Sequence, residues 1–202
     1  MWKIISFLII ILLFAPNMVL ARLPNDSYAE QWGYKDAGVY EAWDKAIGSS
    51  DVVVAVIDNG FDTFHPDIYP NAWKNTDEIP DNGIDDDKNG YIDDAWGWDF
   101  SSRDANHDGI LTDAETEGNN DPRPWVINRN NIDDDIHHGT LVAGIIGAVG
   151  DNNIAGAGIN WKVKLMNLKV LEIAGSGGLS PLTRAIYYAV DNGANVINIS
   201  LV

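Results

Sequence analysis

Residues 51–58 read Asp-Val-Val-Val-Ala-Val-Ile-Asp and run straight into Asn59-Gly60. An unbroken run of β-branched and small apolar residues has no polar face, so it does not fit a half-solvated antiparallel strand. It predicts a strand buried on both sides, which requires helices above and below a parallel sheet. Residues 163–171 and 196–200 supply two further strand candidates. Residues 139–149 form a small-residue apolar helix, in which Gly144 and Gly147 permit close packing. Ser180-Pro181 opens a second helix, with Pro at its first helical position and Gly193 as its stop. Upstream, residues 31–47 carry Trp32, Tyr34, Val39, Trp43 and Ile47 in a loose helical pattern around Gly38. Strand, helix, strand, helix, strand predicts right-handed crossovers in an α/β fold: a three-layer sandwich with a mainly parallel sheet. The chain ends at Leu201-Val202 on an apolar strand with no turn or cap. A raw strand edge invites aggregation, so the domain is expected to be incomplete at its C-terminus.

The first residues have a different character. Met1-Trp2-Lys3 is a short positive start, residues 4–15 are continuously apolar, and Val19-Leu20-Ala21 is a small-residue cleavage site before Arg22. This is the three-part layout of a secretory signal peptide. A membrane anchor is the competing reading. The apolar run reaches only about 18 Å as a helix, against roughly 30 Å of hydrocarbon. Extending it to Leu20 means tolerating Pro16 and Asn17. Residues 1–21 are therefore expected to be a signal peptide and 22–202 a secreted domain, with no stable membrane association after cleavage. The sequence holds no Cys, which excludes disulfides, thiol catalysis and thiolate metal sites.

Charge divides the chain again. The net charge is -17, which disfavours phosphate backbones, and no nucleic-acid partner is expected. Residues 77–135 hold 18 of the 30 acidic residues and only four of the 13 basic ones. This stretch is rich in Asp, Asn and Gly, has little periodicity, and reads as loops. It is an acidic insertion in an otherwise near-neutral domain.

Two loops in the insertion have calcium-ligand spacing. Asp104, Asn106, Asp108, Gly109, Ile110 and Glu115 fit D-x-[DN]-x-[DN]-G-x5-E throughout. Side-chain oxygens at positions 1, 3 and 5, a carbonyl at 7 and a bidentate Glu at 12 wrap a seven-coordinate Ca2+, and the Gly makes the sharp turn. Asp85, Asp87, Asn89, Gly90 and Tyr91 begin the same way, but position 12 is Trp96. The bidentate ligand must then come from elsewhere, with Asp93 and Asp94 as candidates. Magnesium suits these loops less, because it demands a rigid octahedron and keeps its waters. A solvated acidic loop is the plain alternative. It leaves the regular Gly at position 6 unexplained and the clustered charge uncompensated.

Chemistry is suggested by two placements. Asp58 ends a buried strand, where open α/β sheets carry functional groups. His138 opens the helix His138-Gly-Thr-Leu-Val-Ala-Gly144. A carboxylate at a strand end could orient an imidazole and stabilise its cation while the second ring nitrogen takes a proton from a nucleophile. On spacing alone, the same residues could be a helix-capping His and an Asp binding a turn amide. His137 is expected to face solvent, His65 to serve the His65-Pro66-Asp67 turn, and His107 to point out of its loop.

Taken together, Val53-Val-Ala-Val-Ile-Asp58-Asn-Gly60, His65-Pro-Asp67, His138-Gly-Thr-Leu-Val-Ala-Gly144, Val170-Leu171, Gly175-Ser-Gly177 and Val196-Ile-Asn-Ile-Ser-Leu201 resemble, in order, the subtilisin-like serine proteases. The resemblance covers nearly all of the chain from about Gln31 and implies the N-terminal part of a catalytic domain. It implies that Asp58 and His138 are the catalytic aspartate and general base. It implies that Gly175, Ser176, Gly177, Ser200 and Leu201 flank an extended polypeptide substrate by backbone pairing. Some family members carry a similar acidic loop before Gly97-Trp98-Asp99-Phe100. The chain departs from the family pattern at Asn59 (usually Ser or Thr), Leu141 (often His) and Val202 (often Gly). The family's oxyanion Asn and its Gly-Thr-Ser nucleophile have no counterpart in these residues, so they are expected to be inactive alone. The resulting expectation is a secreted, calcium-dependent serine endopeptidase using an Asp–His–Ser triad. The alternative is a secreted calcium-binding pseudo-protease that binds peptides without cleaving them.

Overall fold

The computed structural model describes residues 22–28, 30–101, 117–124, 137–171 and 178–201. Its elements follow in the order α1 (Trp32–Asp36), α2 (Val39–Trp43), β1 (Gly48–Asp58), β2 (Gly97–Asp99), α3 (His138–Gly147), β3 (Lys162–Lys169), α4 (Leu179–Asp191) and β4 (Val196–Ile199). The four strands form one parallel sheet in the order β2-β3-β1-β4. The expected α/β fold is present, with one strand more than the periodicity indicated. β2 is three residues long and lies inside the acidic segment read as loops. Its Trp98 is buried, and β2 reaches the sheet by pairing with β3.

The alternation of β1 sorts its side chains between two layers. Ala55 and Ile57 pack with Met166, Leu168, Ala185, Tyr188 and Ala189 under α4. Val54 and Val56 pack with Val163, Leu165 and Ala143 under α3. Both faces are therefore dry from Val54 to Ile57, which explains why that stretch carries no polar residue. The sequence places Asp58 two residues beyond Val56, on the α3 side. A third cluster joins α1 and α2 to the loop before β3, through Tyr34, Val39, Trp43, Ala157 and Trp161. Trp43 Nε1 donates to the Ile159 carbonyl at 2.9 Å, which anchors this N-terminal layer. The loose helical pattern of residues 31–47 thus becomes two short helices broken at Gly38. Among the described residues, no helix is long and apolar enough to cross a membrane. The expected signal segment, residues 1–21, lies outside the described residues.

Candidate active site

β1 delivers Asp58 to the carboxyl end of the sheet, and α3 delivers His138 as its first residue. His138 Nδ1 stands 2.8 Å from Asp58 Oδ1 and 3.0 Å from Oδ2. The carboxylate is fully buried, while the imidazole is 46% exposed. An ionised carboxylate only accepts, so Nδ1 is the donor of this bond. The Asn59 backbone N–H also donates to Asp58 Oδ1, at 2.8 Å, which fixes the carboxylate in its plane.

Asn59 has a further part. Its Oδ1 accepts the Gly139 N–H at 2.9 Å, tying the strand end to the first turn of α3. That bond satisfies one of the backbone donors left free at a helix start. Gly139 packs directly on the Gly60 carbonyl, and Gly60 in turn sits against the Pro122 carbonyl with φ +85°. A Cβ at either position would meet backbone. Glycine at 60 and 139 is what lets the two halves of the pair approach. Asp62 N–H donates to Thr140 Oγ1 at 3.0 Å and closes the same junction.

β4 pairs with β1 so that Ile199 lies opposite Ile57, which carries Ser200 and Leu201 to the same end of the sheet as Asp58. Ser200 Oγ accepts Asn198 Nδ2 at 3.0 Å, and Leu201 packs on the α4-side core. Gly175, Ser176 and Gly177 lie outside the described residues. His65 Nδ1 accepts the Asp67 N–H at 3.2 Å, and Asn152 Nδ2 donates to buried Asp67 at 2.8 Å, so this turn holds a neighbouring loop. Burial pushes the Asp67 carboxyl above its ordinary value, against the pull of the Asn152 hydrogen bond.

The acidic segment is only partly described. Asp104, Asn106, Asp108, Ile110 and Glu115 lie outside the described residues. In the first loop, Asp85 caps a turn by accepting Asn89 N–H at 3.1 Å and Gly90 N–H at 2.9 Å. Asn89 Oδ1 accepts the Tyr91 N–H, and the Tyr91 ring packs edge-on against Trp98, Phe100 and Tyr188. Asp93 accepts the backbone N–H groups of Asn82 and Gly83, both at 2.9 Å. Carboxylate oxygens of Glu78, Asp87 and Asp94 converge, all within 4.8 Å of one another.

Glu78 is absent from the sequence-based set. Its Oε1 accepts Asp86 and Asp87 N–H and its Oε2 accepts Asp93 N–H, so it stitches both ends of the loop together. Asp94 is fully buried, and desolvation raises its carboxyl despite hydrogen bonds from Tyr188, Asn89 and Asn75. The chain signal for Glu78 is weak: it follows Asp77, lies seven residues ahead of Asp85, and no spacing rule singles it out.

Comparison with known proteins agrees with this geometry. Residues 49–202 match the subtilase family. Subtilisin-like protease 1 of Plasmodium berghei (strain Anka) is 34% identical over 178 residues, covering 86% of this chain and 26% of that protein. The thermophilic serine proteinase of Bacillus sp. (strain AK1) is 32% identical over 190 residues, covering 92% of this chain and 36% of that protein. The chain thus spans roughly a quarter to a third of the length of these relatives. Among solved structures, a protease from Pseudoalteromonas arctica PAMC 21717 superposes with a TM-score of 0.59 at 27% identity. That match covers 89% of this chain and 51% of the other. By its sequence from residue 49 onward and by its fold, this chain belongs to the subtilase family.

Proposed function

We propose that the protein carrying these residues is a secreted, calcium-dependent serine endopeptidase, with residues 1–21 as its signal peptide and 22–202 as the N-terminal part of its peptidase domain. The observation that carries this reading is the 2.8 Å contact between His138 Nδ1 and a carboxylate removed from solvent. In the proposed reaction a serine hydroxyl from outside these residues attacks the peptide carbonyl. His138 Nε2 takes its proton and later returns it to the leaving amine. Asp58 keeps the ring in the required tautomer and stabilises the imidazolium. An asparagine side chain, also from outside these residues, and a backbone N–H would hold the oxyanion. Ser200 and Leu201, with Gly175, Ser176 and Gly177, would pair with an extended polypeptide on either side.

Calcium is assigned a structural part. The donor set around Glu78, Asp87 and Asp94 is oxygen only, which suits a hard cation. Three carboxylates this close repel one another unless a cation lies between them. The first loop would thus be held by Glu78, Asp87 and Asp94, with Asp85 and Asn89 shaping its turn. The second would use Asp104, Asn106, Asp108, Ile110 and Glu115. The ion supplies charge neutralisation and loop closure.

Assay of the full-length protein on an unfolded polypeptide tests the reading. Cleavage is expected, abolished by a serine-reactive fluorophosphonate and by His138→Ala. A folded protein that binds the polypeptide without cutting it would instead be the peptide-binding pseudo-protease.

A further inference from the structure

Asp99 on β2, Lys169 on β3 and Asp58 on β1 are consecutive partners across the sheet. Neighbouring strands lie about 4.8 Å apart, so the three residues form one rung at the carboxyl end. All three side chains point to the α3 side. Val163 and Leu165 set that face for Lys169, Val54 and Val56 set it for Asp58, and Trp98 faces the other way beside Asp99. The rung reads negative, positive, negative, and no member is more than 2% exposed. Lys169 Nζ stands 2.7 Å from Asp99 Oδ2. Asp99 Oδ1 is held by the Ser101 N–H at 2.8 Å and the Ser101 hydroxyl at 2.6 Å.

A buried lysine alone would shed its proton, and a buried pair is seldom kept for stability, since apolar residues of the same volume usually serve as well. The position offers a reason for this pair. A general base must be neutral at working pH, and a carboxylate beside an imidazole as a rule favours the cation; here the two groups stand 2.8 Å apart. A permanent cation one strand from Asp58 opposes that effect. Its charge also bears on one neighbouring acid, Asp121. Burial pushes the Asp121 carboxyl up, but Arg123's hydrogen bonds, with the charges of Arg123 and Lys169, carry it below its ordinary value.

We propose that Lys169, anchored by Asp99, is a positioning residue for the Asp58–His138 pair, whose buried charge holds the proton affinity of His138 down. Among the described residues, the other charged groups near this end are His137 just ahead of α3, Asp62 from the loop after β1, and the Asp121–Arg123 pair. That pair is closed on itself by bonds of 2.7 and 2.8 Å. Lys169 thus stands directly in the rung of Asp58, with its counter-charge on the far side.

The inference rests on reading Asp58–His138 as the proton-transfer pair, and its test does not need turnover. The titration midpoint of the His138 ring, followed by NMR in the full-length protein, is the readout. Lys169→Met is expected to raise the midpoint by about half a pH unit, and Asp99→Asn to lower it by a similar amount. Lys169→Arg should leave it in place. Packing defects would not give shifts of opposite sign from two partners. Either single variant removes one member of the buried pair and could fail to fold, so Lys169→Met with Asp99→Asn is the control. The nearer charge dominates, so this double variant still raises the midpoint, by less than Lys169→Met. Shifts of the same sign in the single variants, or an unmoved midpoint in the double variant, would overturn the proposal. A parent protein without peptidase activity would sink the functional reading and leave this test standing.

Discussion

Asp58 and Asp94 are both fully buried carboxylates, and they are held by opposite means. Asp58 ends a strand, takes one backbone N–H, and faces an imidazole that can become a cation. Among the described residues, the hydrogen-bond partners of its carboxylate come from the strand end and α3. Asp94 is surrounded by neutral donors, Asn75 at 2.7 Å, Asn89 at 2.9 Å and Tyr188 at 2.6 Å, and by the charges of Asp87 and Glu78. Desolvation and the neighbouring acid keep the Tyr188 hydroxyl far above its ordinary value. One site is organised by backbone geometry and faces a ring that can become its counter-charge. The other gathers three carboxylates, with no cation among the described hydrogen-bond partners of Asp94. In the proposed reading, catalysis and calcium binding thus belong to separate parts of the molecule, joined where Tyr188 of α4 meets both the core and Asp94.

The sharpest way to break this contrast is Asp58→Asn in the full-length protein. It should lower kcat by about 10^4-fold with little change in KM, because the amide stabilises the wrong imidazole tautomer. Melting with and without calcium should be unaffected in its difference. A loss under about tenfold would mean that Asp58 only builds structure. Next in size is calcium removal. With a site near saturation the stabilisation is about 4 kcal/mol, so EDTA should lower Tm by about 10 °C. An unchanged Tm would remove the cation from the acidic segment.

Glu78→Gln should sharpen the contrast by reversing sign. With calcium the variant melts about 5 °C below the parent, and in EDTA it melts level with or above it, since one repelling charge is gone. A variant less stable in both conditions would make Glu78 a plain backbone acceptor. The smallest effect is expected for Asn59→Ala, which removes the bond to the Gly139 N–H. About 1 kcal/mol and roughly 2–4 °C in Tm should be lost, with the calcium response intact. A cost in calcium response there would join the two regions that the structure separates.

Several elements are legible along the chain. Residues 52–57 announce the inner part of β1, because a strand packed on both sides there carries no polar residue. The small residues after His138 announce α3, which runs from His138 to Gly147 as the pattern indicated, within two residues. Pro181 and Gly193 bracket α4, although the helix begins at Leu179, two residues earlier than Pro181. β2 was not legible. Three residues are too few for a period, and Gly97–Asp99 is strand only because β3 offers it an edge. Asp58 and His138 were legible as types at strand and helix ends. The motif order linked them, since no local rule joins residues 80 apart.

What the sequence determines by itself is local or compositional: which segments must be buried, where turns fall, and that acidic charge gathers in one insertion. These depend on side-chain patterns within a turn or a strand, and they survive whatever the rest of the chain does. The convergence of Glu78 with Asp87 and Asp94, and the rung of Asp99, Lys169 and Asp58, were decided only by the tertiary structure. Crossover topology and strand register choose which distant residues become neighbours. In a low-dielectric interior it is those neighbours that decide how each charge behaves.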